Sequence, residues 1–359
     1  MRTRAWLMGV SIAIAAGANV AIGGAGRAAP PPEVTEPVPT PSVTRGLLDE
    51  AARLRPLVSG AAAQSFLDAV PALIEPEPAA RVVYRNREKG LALSETEWTA
   101  LPETERGAFQ RREYDAKFYY HTGYGSPLVV ARALDLAATR TGRRSFTGAR
   151  VLEFGYGSIG QGRVLASLGA EYVGVEVEPV FRVLYAFPGD TGVVPGHAGG
   201  PAGSLRLLSG RWPAEERLAA EAGQGFDLFI SKNTLKLGYI HPRREADERM
   251  LVKLGVDDEA FVRAVFRVLR PGGAMMVYNI CPAPAPPDKP YIPWADGEFP
   301  FARELIERAG FEVLAWDEDD TDGALRYFAA LDYLDGAPID EARKDYRVWW
   351  TLLRKPEGK

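Results

Sequence analysis

The sequence predicts an α/β fold of three layers, in which helices cover a seven-stranded sheet that ends in an antiparallel hairpin and follows an N-terminal helical cap. Three observations predict it. After residue 144, short apolar runs alternate with segments of helical period, which is typical of a parallel sheet. The last two predicted strands, 311–316 and 326–334, are joined by an acidic turn too short for a crossover helix, so they must pair antiparallel. Before residue 144, apolar residues recur at helical spacing.

The composition excludes several classes of function. With 46% apolar and 25% charged residues, the chain is an ordinary globular protein that can bury a full core. The net charge of -4 gives no drive toward nucleic acid. The single cysteine, Cys281, excludes an intramolecular disulfide and a cysteine-based zinc site, and a histidine-rich centre would need nearly all three histidines. We therefore predict neither nucleic-acid binding nor a metal site.

The first 43 residues have the pattern of a targeting signal followed by a linker. Arg2 and Arg4 precede an uncharged run over 5–26, and small residues at 26 and 28 suit a signal peptidase, so 1–28 has the layout of a secretory signal. An uncleaved membrane anchor also fits the length of this run, and a mis-assigned start codon would leave the protein cytoplasmic. Six prolines within 29–43 predict an extended linker.

The predicted cap spans 44–143. Two short amphipathic helices are expected within 44–78, and further helices over 103–120 and 128–141. Ser94 and Glu97 form a capping-box pattern that predicts another helix start. Ser126 followed by Pro127 predicts the start of the helix over 128–141.

The predicted main domain spans 144–335, and 336–359 is left as a C-terminal extension. The expected helices are 159–168, 179–186, 214–222, 257–269 and 301–309. The expected strands are 150–154, 171–177, 205–208, 226–231, 274–279, 311–316 and 326–334.

A glycine-rich turn follows the first predicted strand of this domain. Glycines 155, 157 and 160 occupy the three positions of a GxGxxG pattern, which permits a tight turn and close approach of a ligand to the backbone. Glu176 ends the next strand, where a carboxylate can accept both hydroxyls of a ribose. Glu153 precedes the first glycine and would repel a pyrophosphate but attract a positively charged ligand. S-adenosyl-L-methionine, which carries an ammonium, a sulfonium and a ribose but no phosphate, is the better electrostatic match.

Residues 150–333 resemble the class I S-adenosylmethionine-dependent methyltransferases, which have a Rossmann-like sheet. The resemblance is carried by the four segments 151–160, 173–179, 226–230 and 268–273, in this order and followed by the terminal hairpin. It implies a sheet in which the seventh strand lies antiparallel beside the fifth. It also implies that Glu153, Gly155 and Gly157 surround the methionine part of the cofactor and that Glu176 binds the ribose.

Further residues complete the predicted cofactor site. The family often places an Asp after the third strand for the adenine amino group, but here the stretch is 209–212. Backbone groups could bind the adenine or Trp212 could stack on it, and packing of Trp212 beneath the next helix is an equal alternative. The arm before the helix over 128–141 can close over the cofactor in such enzymes. The predicted cofactor-binding residues are Glu153, Gly155, Tyr156, Gly157, Gly160, Glu176 and Tyr124.

The loop after the fourth strand, 231–242, carries the candidates for catalysis. Methyl transfer from a sulfonium requires mainly that the acceptor be aligned and its proton removed. Lys232 and Asn233 lie at the strand end as possible participants. Lys232 together with Lys236 could hold an anionic acceptor, with two solvated surface charges as the alternative. His241 could act as a general base, or it is an ordinary loop residue. The Asn/Asp-Pro-Pro-aromatic tetrad of many amino-group methyltransferases is absent.

Two functions remain open at this stage. The first is an S-adenosylmethionine-dependent methyltransferase that acts on an unidentified small-molecule acceptor. The second is a non-catalytic exported or anchored binding protein that retains the fold, an alternative suggested by the missing adenine Asp and by the leader. An NAD-dependent dehydrogenase is disfavoured by Glu153 and by the terminal hairpin. The sequence makes no prediction of oligomeric state.

Overall fold

The computed structural model of this protein describes residues 42–358. The predicted signal or anchor over 1–28 and nearly all of the linker lie outside these residues. Within 42–358, no helix is long and apolar enough to cross a membrane.

The structure contains a small antiparallel sheet and a large mixed sheet, with helices between and around them. The helices are α1 Val43–Leu54, α2 Ala61–Asp68, α3 Glu95–Thr99, α4 Glu103–Arg106, α5 Ala116–His121, α6 Val130–Thr141, α7 Gly160–Ser167, α8 Pro179–Leu184, α9 Glu216–Ala222, α10 Leu237–Ile240, α11 Asp258–Val268, α12 Arg303–Ala309, α13 Thr321–Ala330 and α14 Ile339–Asp345. The strands are β1 Arg81–Asn86, β2 Leu91–Leu93, β3 Gln110–Tyr114, β4 Arg150–Phe154, β5 Glu171–Glu176, β6 Gly192–Val194, β7 Gly203–Ser209, β8 Phe226–Lys232, β9 Leu269–Pro282, β10 Glu312–Asp319 and β11 Tyr346–Arg354.

The large sheet confirms the predicted fold class. Its strand order is β10-β11-β9-β8-β4-β5-β7-β6, and the five strands from β9 to β7 run parallel. The final strand, β11, lies antiparallel between β9 and β10, as the resemblance implies for a seventh strand. The sheet has eight strands rather than seven, because the short strand β6 adds an antiparallel edge beside β7.

Helices cover both faces of the large sheet. Neighbouring residues of a strand point to opposite faces, so Val151 packs in the core beside α6 and α7 whereas Leu152 packs in the core beside α11 and α12. The same alternation separates Tyr172 from Val173 on β5. This arrangement buries both faces of the parallel strands and leaves their carboxyl ends as the edge at which loops meet.

The predicted strand over 326–334 is wrong, because most of it belongs to helix α13. Thr321, Leu325 and Phe328 recur at helical spacing along this helix and are buried. The true final strand, β11, lies in the segment 336–359 that was predicted to be an extension. Two helices therefore separate β10 from β11, and the antiparallel pairing of these strands is not a tight hairpin.

The predicted helical cap also contains strands. Strands β2, β1 and β3 form an antiparallel sheet in that order, and β3 interrupts the helix predicted over 103–120. Val83 of this sheet packs against Val180 and Val183 of α8, which fixes the small sheet on the main domain. The predicted capping box is confirmed, since the Ser94 hydroxyl accepts a hydrogen bond from the Glu97 amide and the Glu97 carboxylate accepts one from the Ser94 amide.

Candidate functional site

Two adjoining cavities lie where β4, β5 and β8 end. The first cavity has a volume of about 250 Å³ and is lined by the loops after β4 and β5 and by residues 249–254. The second cavity, of about 470 Å³, is lined by the ends of β8 and β9 and by residues near α5 and α13. Tyr124, Gly125, Lys232 and Asn233 line both cavities. The carboxyl edge of the sheet therefore offers room for two ligands that meet at these four residues.

The glycine-rich turn after β4 requires glycine at two positions. Gly155 and Gly157 have φ angles of +75° and +55°, a conformation that most residues adopt only with strain. A Cβ on Gly155 would overlap Thr234, and a Cβ on Gly157 would lie 3.0 Å from the ring of Tyr124. Gly160 has a different role, because a Cβ at this position would lie 2.7 Å from Pro127, so the glycine permits close packing of α7. It does not line the first cavity.

Glu176 lies at the end of β5 and lines the first cavity. Its Oε1 accepts hydrogen bonds from the backbone amides of Val177 and Glu178 at 2.8 and 3.1 Å. Burial raises the pKa of this carboxyl above the usual range of a glutamate. The side chain is thus held in one position by the backbone, with acceptor capacity left for a ligand.

Glu153 lies beneath the glycine-rich turn and does not line the first cavity. It is buried, with Oε2 accepting from the Tyr172 hydroxyl at 2.6 Å and Oε1 accepting from Nε2 of Gln161 at 3.2 Å. Nε2 of Gln161 also donates to the carbonyl of Tyr156 at 2.6 Å. Burial raises the pKa of Glu153. This carboxyl therefore supports the turn from below, which differs from the direct contact with a ligand that its position in the sequence predicts.

Tyr156 and Trp212 form apolar walls of the first cavity. Tyr156 packs over Gly174 of β5, where any side chain would overlap the tyrosine ring. Trp212 is only 1% exposed and packs edge-on against Phe154 and Phe261, yet its Nε1 has no hydrogen-bond partner within residues 42–358. A buried indole N–H without a partner is uncommon, because leaving a donor unsatisfied costs about 1–3 kcal/mol. The packing role of Trp212 is thus confirmed, and its free N–H beside a cavity also suits a ligand.

The arm that precedes α6 covers the glycine-rich turn. The Thr122 hydroxyl donates to the carbonyl of Gly157 at 2.9 Å, and the Ser158 hydroxyl donates to the carbonyl of Tyr120 at 2.5 Å. The ring of Tyr124 rests on Gly157 and forms part of both cavities. The arm predicted to lie near the cofactor is therefore bound to the turn.

The end of β8 places Lys232 and Asn233 between the two cavities. Asn233 has a φ of +65°, and its Oδ1 accepts a hydrogen bond from the amide of Ile280 at 2.7 Å, so it joins the ends of β8 and β9. Lys232 is half-buried, and the carboxylate of Glu153 acts on its charge without a direct hydrogen bond in the part of the chain that the structure describes. Burial lowers the pKa of Lys232.

His241, the predicted general base, lies away from both cavities. Its Nε2 is 2.8 Å from Oδ2 of Asp258 at the start of α11, and the side chain is about half exposed. The loop turns through α10 between Lys232 and His241, which carries the histidine to another surface. The structure therefore brings together Lys232 and Asn233 of the predicted catalytic set, and it does not bring His241 to them.

Aromatic side chains form the wall of the second cavity. They are Phe328 of α13, Tyr333, Trp294 and Tyr346 of β11. Phe328 and Tyr346 pack edge-on with their ring centroids 5.6 Å apart. Phe328 and Tyr346 were not predicted for the site, because α13 and β11 were not placed correctly. His121 of α5 also lines this cavity, with Nε2 3.5 Å from a carboxylate oxygen of Glu50. Within residues 42–358, no cluster of three side chains could hold a metal ion.

Comparison with known proteins gives distant structural similarities only. No family model matches the chain, and no characterised protein matches it by sequence. The [4+2]-cyclase SpnF is 20% identical, with a TM-score of 0.36 over 64% of this chain and 82% of SpnF. Phosphoethanolamine N-methyltransferase 2 of Haemonchus contortus, in complex with S-adenosyl-L-methionine, is 13% identical, with a TM-score of 0.35 over 79% of this chain and 71% of the enzyme.

A third similar structure is geranyl diphosphate methyltransferase in complex with GPP and sinefungin. It is 14% identical, with a TM-score of 0.36 over 63% of this chain and 77% of that enzyme. Identities and TM-scores at this level do not assign an activity, so the residues of the two cavities must carry the functional argument.

Proposed function

We propose that this protein is an S-adenosylmethionine-dependent methyltransferase that acts on a small molecule. The observation that carries the proposal is the pair of cavities at the carboxyl edge of a sheet with this strand order, one beside the glycine-rich turn and Glu176 and the other beside Lys232. In open α/β sheets, ligands bind at this edge.

The residues of the first cavity fit the methyl donor. Glu176 has acceptor capacity left for a ribose hydroxyl, and the free N–H of Trp212 can donate to an adenine nitrogen. Tyr124 covers the turn at the side facing the second cavity. When bound, S-adenosylmethionine supplies a methyl group that is already activated as part of a sulfonium. The chain has only to position the acceptor in line and to remove its proton.

The second cavity suits a small acceptor with an apolar body. Its walls carry four aromatic side chains, and its lining includes the polar residues Lys232 and Asn233 at the end of β8. A pocket with apolar walls and a few placed polar groups is the usual form of a small-molecule site.

Binding of S-adenosylhomocysteine to the purified full-length chain tests the proposal. Titration calorimetry should give a dissociation constant in the micromolar range, corresponding to about -8 kcal/mol. NAD⁺, titrated in the same way, should give no heat, because the carboxyl of Glu153 beneath the turn opposes a pyrophosphate there. A protein with native circular dichroism that binds no S-adenosylhomocysteine would refute the proposal.

We further propose that the leader exports or tethers this enzyme. The support is the order of basic residues, uncharged run and small residues in 1–28, followed by the proline-rich linker. Mass spectrometry of the natural amino terminus tests this: cleavage after Ala28 would support export, and an intact Met1 on a protein found in the soluble cytoplasmic fraction would refute it.

A further inference from the structure

Lys232 lies at the junction of the two cavities. Lysines that approach the protein interior normally donate hydrogen bonds to a carboxylate or to several carbonyls, because burying a charge without them is costly. Within residues 42–358 the ammonium of Lys232 makes no such hydrogen bond, although the buried carboxylate of Glu153 acts on its charge. The neighbouring buried lysine, Lys236, shows the contrast: its Nζ donates to the carbonyls of Ile280 and Trp294 at 2.6 and 3.2 Å. Lys236 has a structural role, whereas the side chain of Lys232 is left available.

The surroundings favour the neutral amine at Lys232. Burial lowers the pKa of Lys232, the carboxylate of Glu153 raises it, and the ammonium of Lys236 lowers it further. Because two carbonyls hold the ammonium of Lys236, Lys232 is the lysine of this pair that gives up its proton more easily. A sulfonium bound in the first cavity would add a second positive charge and favour the neutral form of Lys232 further.

Other titratable groups face the same space. Glu176 and Tyr124 line the first cavity, and Cys281 and His121 line the second. Burial raises the pKa of Glu176, of Tyr124 and of Cys281. Each of these groups therefore holds its proton more tightly than it would in water. At the rim of the second cavity, Asp332 and Asp335 are exposed to solvent, so their charges are screened.

We propose that Lys232 accepts the proton of an acidic hydroxyl on an aromatic acceptor, that is, of a phenol bound in the second cavity. This inference rests on the proposed methyltransferase function. Lys232 lines both cavities, so an acceptor hydroxyl beside its amine also faces the first cavity. The aromatic wall of the second cavity suits the ring of a phenol.

The step is balanced without a further reactant. The phenol proton moves to the neutral amine of Lys232, which becomes an ammonium. The phenol oxygen forms a bond to the methyl carbon while the carbon–sulfur bond breaks, and the electron pair of that bond remains on sulfur. The single positive charge passes from the sulfonium to Lys232, which then releases the proton to solvent.

Other acceptor classes fit the site less well. An alkylammonium would meet two lysines at the inner end of the second cavity and would gain no buried carboxylate there. A carboxylate acceptor is already ionised at neutral pH and requires no base. A phenol has a pKa near that of an ordinary lysine, and burial lowers the pKa of Lys232, so a phenol that is itself more acidic than usual matches this amine. Proton transfer between the two is then close to balanced, which is favourable for general base catalysis.

Binding of 4-nitrophenol to the complex with S-adenosylhomocysteine tests this proposal, because the phenolate of this probe is coloured and the neutral phenol is not. The variants are Lys232→Met and, as a matched control on an exposed helix, Lys344→Met. At a pH below the pKa of the free probe, we expect the wild type and Lys344→Met to raise the phenolate-to-phenol ratio of the bound probe about tenfold, equivalent to one pKa unit. Lys232→Met should abolish this rise.

A second measurement separates the possible failures. If the wild type binds no S-adenosylhomocysteine, the proposed methyltransferase function itself fails. If Lys232→Met loses affinity for S-adenosylhomocysteine by tenfold or more, Lys232 holds the carboxylate of the donor and the present proposal is overturned. If the wild type binds S-adenosylhomocysteine but not 4-nitrophenol, or ionises it no more than Lys232→Met does, the phenol assignment is wrong and the methyltransferase function stands.

Discussion

Glu176→Gln should weaken binding of S-adenosylhomocysteine about fivefold. The carboxylate has about four acceptor positions, and the backbone amides of Val177, Glu178 and Gly157 use three of them, so one remains for a ribose hydroxyl. A hydrogen bond to a charged group contributes about 1.5–3 kcal/mol and a neutral one about 0.5–1.5 kcal/mol, so neutralisation loses about 1 kcal/mol for this bond. A loss of about 1 kcal/mol corresponds to about a fivefold higher dissociation constant.

Glutamine preserves the shape and the acceptor oxygen that holds the two amides, so Glu176→Gln should fold normally. The matched control is Glu171→Gln at the opposite end of β5, where the carboxylate pairs with Arg150 at the surface. This control should bind within about twofold of the wild type, as expected for a surface change of about 0.5 kcal/mol or less. Titration calorimetry gives the affinities, and urea unfolding verifies that all three proteins are equally folded.

The pH dependence provides a second check on the same carboxyl. Burial raises the pKa of Glu176, so its charged form is lost at a higher pH than is usual for a glutamate. The affinity of the wild type should therefore fall as the pH is lowered through this raised pKa, and that of Glu176→Gln should fall less. Equal affinities of the wild type and Glu176→Gln at pH 8 would refute the assignment of this side chain to the ribose.

Three further changes test other parts of the site and the fold. Gly155→Ala should destabilise the protein by about 2–5 kcal/mol in urea unfolding, because the positive φ and an overlap with Thr234 both oppose a side chain at this position. Adding Thr234→Ala to this variant should recover part of the lost stability. Full stability of the single variant would contradict the geometry of the turn. Tyr124→Ala should raise the dissociation constant of S-adenosylhomocysteine about tenfold through the loss of an aromatic cover, and an unchanged value would show that the arm does not touch the donor. Burial raises the pKa of Asp317 to about 6, so the folded state binds its proton more tightly than the unfolded state and loses stability as the pH rises from about 4 through about 6. Asp317→Asn, which tolerates the φ of +42° at this position, should raise the free energy of unfolding at pH 8 by about 1–2 kcal/mol and by much less near pH 4; a loss of stability at pH 8 would reverse the sign of this argument.

The elements with a single clear pattern were predicted well. Strand β4 has the predicted bounds, and β5, β7, β8 and β10 differ from prediction by a few residues at most. The buried parallel strands are continuous apolar runs flanked by turn residues, which local pattern identifies reliably. The capping box at Ser94 was equally clear, because it depends on two side chains three residues apart.

The errors arose where a short segment fits either a helix or a strand. Residues 326–334 are rich in aromatic and apolar side chains, which fit a strand as well as a helix. The helix becomes clear only with the preceding residues, since Leu325 and Phe328 are buried on one face of α13. Because 326–334 was taken as the last strand, β11 was not predicted. Its buried residues Val348 and Trp350, two positions apart, lie beyond the predicted end of the domain at residue 335. The same error concealed the aromatic wall of the second cavity.

The candidate site was predicted only as far as chain position determines it. Glu176, Lys232 and Asn233 are at strand ends, so the topology brings them to one edge. Glu153 and His241 depend on side-chain direction and on the path of a loop, which sequence spacing does not specify. The side chain of Glu153 lies beneath the glycine-rich turn and accepts a hydrogen bond from the Tyr172 hydroxyl. His241, which follows α10, lies beside Asp258.

The ring of Tyr124 forms part of the wall of both cavities. A molecule that orders this ring from one side changes the surface presented to the other, so the two binding free energies are expected to be coupled. By thermodynamic reciprocity, the factor by which the donor improves acceptor affinity must equal the factor by which the acceptor improves donor affinity. Cooperative binding of the two reactants, in either order, would then arise from a single aromatic side chain, without any movement of the sheet.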